Sequence, residues 1–220
     1  MNLHVFPTDA EATRACADLV AGWLTAPDTR SVMVAAGNTP LPLYREIASR
    51  HLPLAHLQVF MLDEYVGVPA HEPRNCANLL RAAVVQAWNV PPSHYHEVSS
   101  DPALALASVQ RLEQAITNAG GLDILILGLG QNGHLGFNEP GSTPDSGARL
   151  VPLQPISIEA NRLWFHGAHA PHTGVTVGMK TLLAARKVVV LAFGPHKAAP
   201  VAAMVEGPST PHCPASLLQP

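Results

Sequence analysis

Four short runs, Ser31–Ala36, Gln58–Leu62, Leu122–Leu127 and Lys187–Phe193, are apolar at nearly every consecutive position. A strand with one wet face alternates apolar and polar residues. A strand that is apolar throughout must be covered on both sides, as in a parallel sheet flanked by helices. Between these runs the periodicity turns helical. Helices are predicted from Asp9 to about Thr25 behind the capping residue Thr8, and over Asn75–Trp88, where Leu79, Leu80, Ala83, Val84 and Ala87 share a face. Further helices are predicted over Pro102–Asn118, Thr176–Ala185 and Lys197–Val205. The pattern predicts an α/β fold: one doubly wound, mostly parallel, Rossmann-like sheet forming a single domain over 1–220. With 47% apolar residues in 220, the chain can bury such a core.

The stretch from Asn138 to Thr173 breaks this pattern. It is rich in Gly, Pro, His and Ser and exceeds the usual loop length of roughly 12–15 residues. A lid insertion over 141–173 is expected, because it begins directly after the strongest motif in the chain.

Lys and Arg number 13 against 16 Asp and Glu, a net charge of -3. That balance excludes a generic binder of nucleic acid or of anionic membrane, but not a small anionic substrate. No apolar run approaches the roughly 18 residues that span a bilayer, and the start Met1-Asn2-Leu3-His4-Val5-Phe6-Pro7 lacks a basic, then apolar, leader. Cys16, Cys76 and Cys213 are odd in number and form no C-x-x-C pair. A reducing, cytoplasmic setting is expected. His166, His169 and His172 are interrupted by Gly167 and Pro171, with no Asp or Glu among them, so they read as loop histidines and no metal site is expected.

In open parallel sheets, ligands bind beyond the carboxyl ends of the strands. The first apolar run ends in Gly37-Asn38-Thr39-Pro40, which suits close approach of an anion to a helix start that Thr39 would cap. The second ends in Asp63-Glu64-Tyr65. Neighbouring side chains of an extended strand face opposite ways, so one carboxylate should address the pocket, where burial would fit it for taking a proton from a carbon beside a carbonyl; taken alone, the pair reads more readily as a helix cap plus a surface acid. The third opens into Gly128-Leu129-Gly130-Gln131-Asn132-Gly133-His134-Leu135-Gly136-Phe137-Asn138-Glu139-Pro140, where His134 near Glu139 suggests a proton shuttle. The fourth leads to Lys197 at a helix start, unfavourable there unless an anion is bound; Arg162 in the lid segment is a second candidate cation.

The runs Leu62-Asp63-Glu64-Tyr65-Val66-Gly67 and Gly133-His134-Leu135-Gly136-Phe137-Asn138-Glu139-Pro140-Gly141 resemble the glucosamine-6-phosphate deaminase (isomerase) family, part of a wider group shared with 6-phosphogluconolactonases. The resemblance extends from the Gly37 loop through Lys197 to Val205-Glu206-Gly207. It implies that Asp63 moves a proton between C2 and C1 of the open-chain amino sugar. It implies that His134, supported by Asn132 and Glu139, assists ring opening. By the same resemblance Gly37, Asn38, Thr39, Arg162 and Lys197 hold the 6-phosphate. The implied reaction gives fructose 6-phosphate and ammonia, with no redox cofactor and no obligatory metal. Asn132 stands where many members carry Asp, and Asn38 where Gly or Ser is more usual. The chain stops at Leu217-Leu218-Gln219-Pro220, where members continue, so a compact, non-allosteric form is expected; the resemblance does not carry over an oligomeric state, which is left as monomer or small homo-oligomer. A 6-phosphogluconolactonase and a non-catalytic sugar-phosphate sensor are the alternatives.

Overall fold

The structure is a computed structural model describing Met1–Pro220. Strands β1 (Ser31–Val34), β2 (Gln58–Met61), β4 (Tyr95–His96), β5 (Ile124–Gly128) and β8 (Lys187–Leu191) form one parallel sheet in the order β4-β2-β1-β5-β8. Residues Val32 to Val34 and Ile124 to Leu127 are fully buried at consecutive positions, so both faces of the central strands are covered. The doubly wound sheet read from the apolar runs is therefore present. The edge strand β8 is only partly buried.

The helices are α1 (Asp9–Leu24), α2 (Leu41–Ser49), α3 (Cys76–Leu80, continued by a π-helical segment, Arg81–Gln86), α4 (Ala105–Asn118), α5 (Pro155–Trp164), α6 (Met179–Leu183) and α7 (Ala198–Val205). Thr8 caps α1 as expected, its side chain accepting from Glu11 N at 3.2 Å. Thr39 does not cap α2. Pro40 holds the cap position and no side chain bonds to the helix start. Thr176 is the last residue of a strand, where the apolar spacing had pointed to a helix.

A second sheet was not foreseen. Strands β3 (Asp63–Tyr65), β7 (Thr173–Thr176) and β6 (Arg149–Pro152) pair antiparallel in the order β3-β7-β6. Only Leu62 separates β2 from β3, so one extended run leaves the parallel sheet and enters the antiparallel one. Asp63 sits at that transfer, opposite Thr176. The segment 141–173 contains β6 and α5 rather than irregular chain.

Helix α5 is docked at its far end. Arg74 and Trp164 exchange hydrogen bonds, Nη1 to the Trp164 carbonyl at 2.5 Å and Trp164 Nε1 to the Arg74 carbonyl at 2.9 Å. Phe165 packs edge-on against Tyr65, which also meets Phe137. No helix is long and apolar enough to cross a membrane.

Candidate active site

The sheet order reverses between β1 and β5, and a crevice of about 200 Å³ opens beyond their carboxyl ends. Its walls include Gly37, Asn38 and Thr39 after β1, Asp63 after β2, and Gly130, Gln131 and His134 after β5. Lys197 closes one side and α5 another.

The 37–39 loop leads straight into α2, whose first N–H groups have no side-chain partner. Such a helix start favours an anion. Lys197 reinforces it. Its Nζ donates to the Leu129 carbonyl at 2.5 Å, and burial holds it below the usual lysine value.

Asp63 and Glu64 divide as strand geometry requires. Glu64 is fully buried and turns away from the crevice, accepting N–H groups of Tyr65 at 2.7 Å, Cys76 at 3.0 Å and Ala77 at 2.8 Å, and so serves the start of α3. Asp63 lines the crevice at 6% exposure. Burial, helped by the charge of Glu64, pushes its carboxyl up to about 8. A carboxylate so raised is a stronger base than one free in water.

His134 lies across the crevice mouth with Nδ1 3.5 Å from Glu139 Oε2 and 3.5 Å from Ser157 Oγ. Glu139 is held in turn by Asn132 Nδ2 at 2.7 Å and by Gln154 N at 3.3 Å. Burial alone would raise Glu139, but its bonds to His134, Ser157 and Asn132 and the charge of His134 outweigh that and bring it down to about 2. Asn132 Oδ1 also accepts the backbone N–H of His134 at 3.3 Å, so one amide ties Glu139 to the His134 main chain. Two glycines make room for this machinery. A Cβ at Gly130 would stand 2.4 Å from the His134 ring, and one at Gly136 would stand 3.0 Å from Asp63 Oδ2.

Of the residues singled out from sequence, Gly37, Asn38, Thr39, Asp63, His134 and Lys197 meet at this crevice, with Asn132 and Glu139 directly behind His134. Arg162 does not. It lies on the outer side of α5, half exposed, with Nε and Nη2 bonded to Glu159 three residues earlier at 2.9 and 2.7 Å. No cluster of three or more His, Cys, Asp or Glu is gathered as a metal ion would need. Sequence reasoning missed Ser157 and Asn161, which α5 turns inward one helical turn apart.

An open parallel sheet that gathers an uncapped helix start, a lysine, a raised carboxyl and a carboxylate-backed imidazole at its switch point is an arrangement suited to acid–base chemistry on a small anionic ligand. The model of the family described as glucosamine-6-phosphate isomerases/6-phosphogluconolactonase matches residues 7–220, and the chain belongs to that family. It is 35% identical over 224 residues to a glucosamine-6-phosphate deaminase of Rhodococcus opacus, covering all of this chain and 86% of that protein. It is 36% identical over 193 residues to glucosamine-6-phosphate deaminase 2 of Bacillus subtilis, covering 84% of this chain and 78% of that one. Among solved structures, a monomeric glucosamine-6-phosphate deaminase superposes with a TM-score of 0.93 at 28% identity, covering 99% of this chain and 92% of that one. The 6-phosphogluconolactonase of Thermotoga maritima shares the fold, with a TM-score of 0.74 at 20% identity over 96% of this chain and 91% of that one.

Proposed function

We propose that this chain is a glucosamine-6-phosphate deaminase, converting glucosamine 6-phosphate and water to fructose 6-phosphate and ammonia. The observation that carries this reading is a buried carboxyl with its value raised to about 8, sharing a crevice with a histidine–carboxylate pair and an anion cradle. The curated relatives bear the same name.

The 6-phosphate rests on the 37–39 loop, the start of α2 and Lys197, so that remote binding positions the reacting carbons. His134 takes the proton from O1 and delivers it to the ring oxygen, opening the ring to the aldehyde; Glu139 supplies the countercharge. Asp63 then takes the proton from C2. The C–H electron pair forms the C1–C2 double bond of an enolamine as the carbonyl pair moves to O1, which takes a proton that His134 relays from water. Asp63 returns its proton to C1 as the nitrogen lone pair forms the C2 iminium; water then adds to C2 and ammonia leaves, the surplus proton going back to water through His134. One water enters and one ammonia departs, with no net redox change. Segment 141–173 acts as a lid whose helix excludes bulk water from the enolamine. A phosphorylated sugar substrate fits a cytoplasmic enzyme.

Ammonia release from glucosamine 6-phosphate tests the reading. Turnover with fructose 6-phosphate as coproduct supports it; no turnover on any 2-amino-2-deoxyhexose 6-phosphate rules it out.

A further inference from the structure

Five residues of α5 line the crevice: Ile156, Ser157, Ala160, Asn161 and Trp164. Ile156 and Ala160 offer no polar atom, and the Trp164 indole N–H is bonded to Arg74. Ser157 is engaged with His134 and Glu139. Asn161 is the one polar side chain on this wall without such an engagement. It is 6% exposed, and its Nδ2 is shielded from solvent with no hydrogen-bond partner.

A buried amide donor left unpaired is costly, and protein interiors rarely tolerate one without cause. Only one other buried side chain carries an unpartnered polar atom, Asn138 Oδ1. That residue has a structural purpose, since its Nδ2 ties the Leu135 and Val177 carbonyls at 3.1 and 2.9 Å. Asn138 is absent from the crevice walls, whereas Asn161 is part of them. A neutral amide suits a neutral hydroxyl, because the anion is served by Lys197 and the 37–39 loop.

We infer that Asn161 is a specificity-determining residue whose amide binds a sugar hydroxyl of the substrate. This rests on the proposed deaminase reading, in which Asp63, His134 and the phosphate cradle attend to C1, C2, the ring oxygen and C6. The hydroxyls left for Asn161 are those on C3 and C4. A site built to bond a hydroxyl strongly rejects the analogue that lacks it.

The experiment measures kcat/KM for glucosamine 6-phosphate and its 3-deoxy and 4-deoxy analogues with the wild type, Asn161→Ala and Asn161→Leu, alongside thermal unfolding and inhibition by inorganic phosphate. On the parent substrate both variants should lose about 10- to 100-fold, the scale of one lost hydrogen bond in a dry site. The wild type's preference for the parent over one deoxy analogue should collapse towards unity in both variants, while phosphate inhibition stays unchanged. Neither variant should melt below the wild type, because the amide it removes has no partner in the free protein. Equal losses on all three substrates, no loss, or a lowered melting temperature with unchanged discrimination would each overturn the inference. A wild type that turns over none of these sugars would instead overturn the deaminase reading, and this inference with it.

Discussion

Asp63 and Glu64 are consecutive in the chain and serve opposite sides of it: Glu64 accepts the Cys76 and Ala77 N–H groups at the start of α3, and Asp63 faces the crevice. Strand alternation produces this division, and the shift from β2 to β3 places it at the carboxyl end of the parallel sheet. One buried carboxylate is satisfied by backbone donors. The other has no such relief, and its proton is held until about pH 8.

The pH dependence of activity follows. As a base, Asp63 must be ionised in the free enzyme, so kcat/KM should climb about tenfold per pH unit below a limb near pH 8 and then level off. Stability runs the other way. A carboxyl whose folded value lies above its unfolded one contributes stability that is complete below about pH 4 and lost as pH rises to 8. Asp63→Asn should therefore melt above the wild type at pH 8, by roughly 2–4 °C per kcal/mol recovered, with the gap closing towards pH 4. Melting curves across that range check it.

Glu139 has the opposite sign. Its folded value near 2 lies below the unfolded one, so its contribution is present above about pH 4.5 and lost as pH falls through 2. Urea titrations should find Glu139→Gln less stable than the wild type at pH 7 and indistinguishable from it at pH 2. With the countercharge to His134 removed, kcat should fall about 10- to 100-fold, the scale of a hydrogen bond to a charged group.

Gly130→Ala should be nearly inactive and yet folded. Its methyl would stand 2.4 Å from the His134 ring, and displacing a catalytic group by about 1 Å can cost on the order of 100-fold. Circular dichroism should match the wild type, and inhibition by inorganic phosphate should persist, because the cradle lies on other loops.

The two cations should separate cleanly. Lys197→Met should raise KM for the sugar phosphate about 10- to 100-fold, as expected for loss of a charged contact in a half-buried site. Arg162→Ala should leave KM within about twofold, because its guanidinium is bound to Glu159 on the exposed side of α5, and such surface pairs contribute little. Steady-state kinetics on both variants decide it.

The parallel sheet was legible because burial on both faces leaves an unbroken apolar signature, as at Val32 to Val34. Asp63, His134 and the 37–39 loop were legible because their chemistry stands at strand ends. Helix α5 was not, and the reason is physical. It covers a polar crevice, so it buries Ser157 and Asn161 while Ile156 and Leu163 stay 42% and 63% exposed. This inverts the pattern by which an amphipathic helix is recognised. The spacing of Ser157, Ala160, Asn161 and Trp164 behind Pro155 was the available signal. The second sheet escaped because β3 follows β2 after a single residue and reads as its continuation. Arg162 stood out by its charge, its place in the 141–173 segment and the family resemblance; its position one residue past the inward-facing Asn161 turns it outward.

Deuterium transfer reads the role of Asp63 with the least interpretation. Glucosamine 6-phosphate carrying deuterium at C2 should be turned over by the wild type to fructose 6-phosphate carrying that deuterium at C1, together with ammonia. Asp63→Asn should do neither at a rate above about one hundredth of the wild type, while inorganic phosphate still binds. Undiminished ammonia release by Asp63→Asn, with deuterium still carried from C2 to C1, would contradict the assignment of the base.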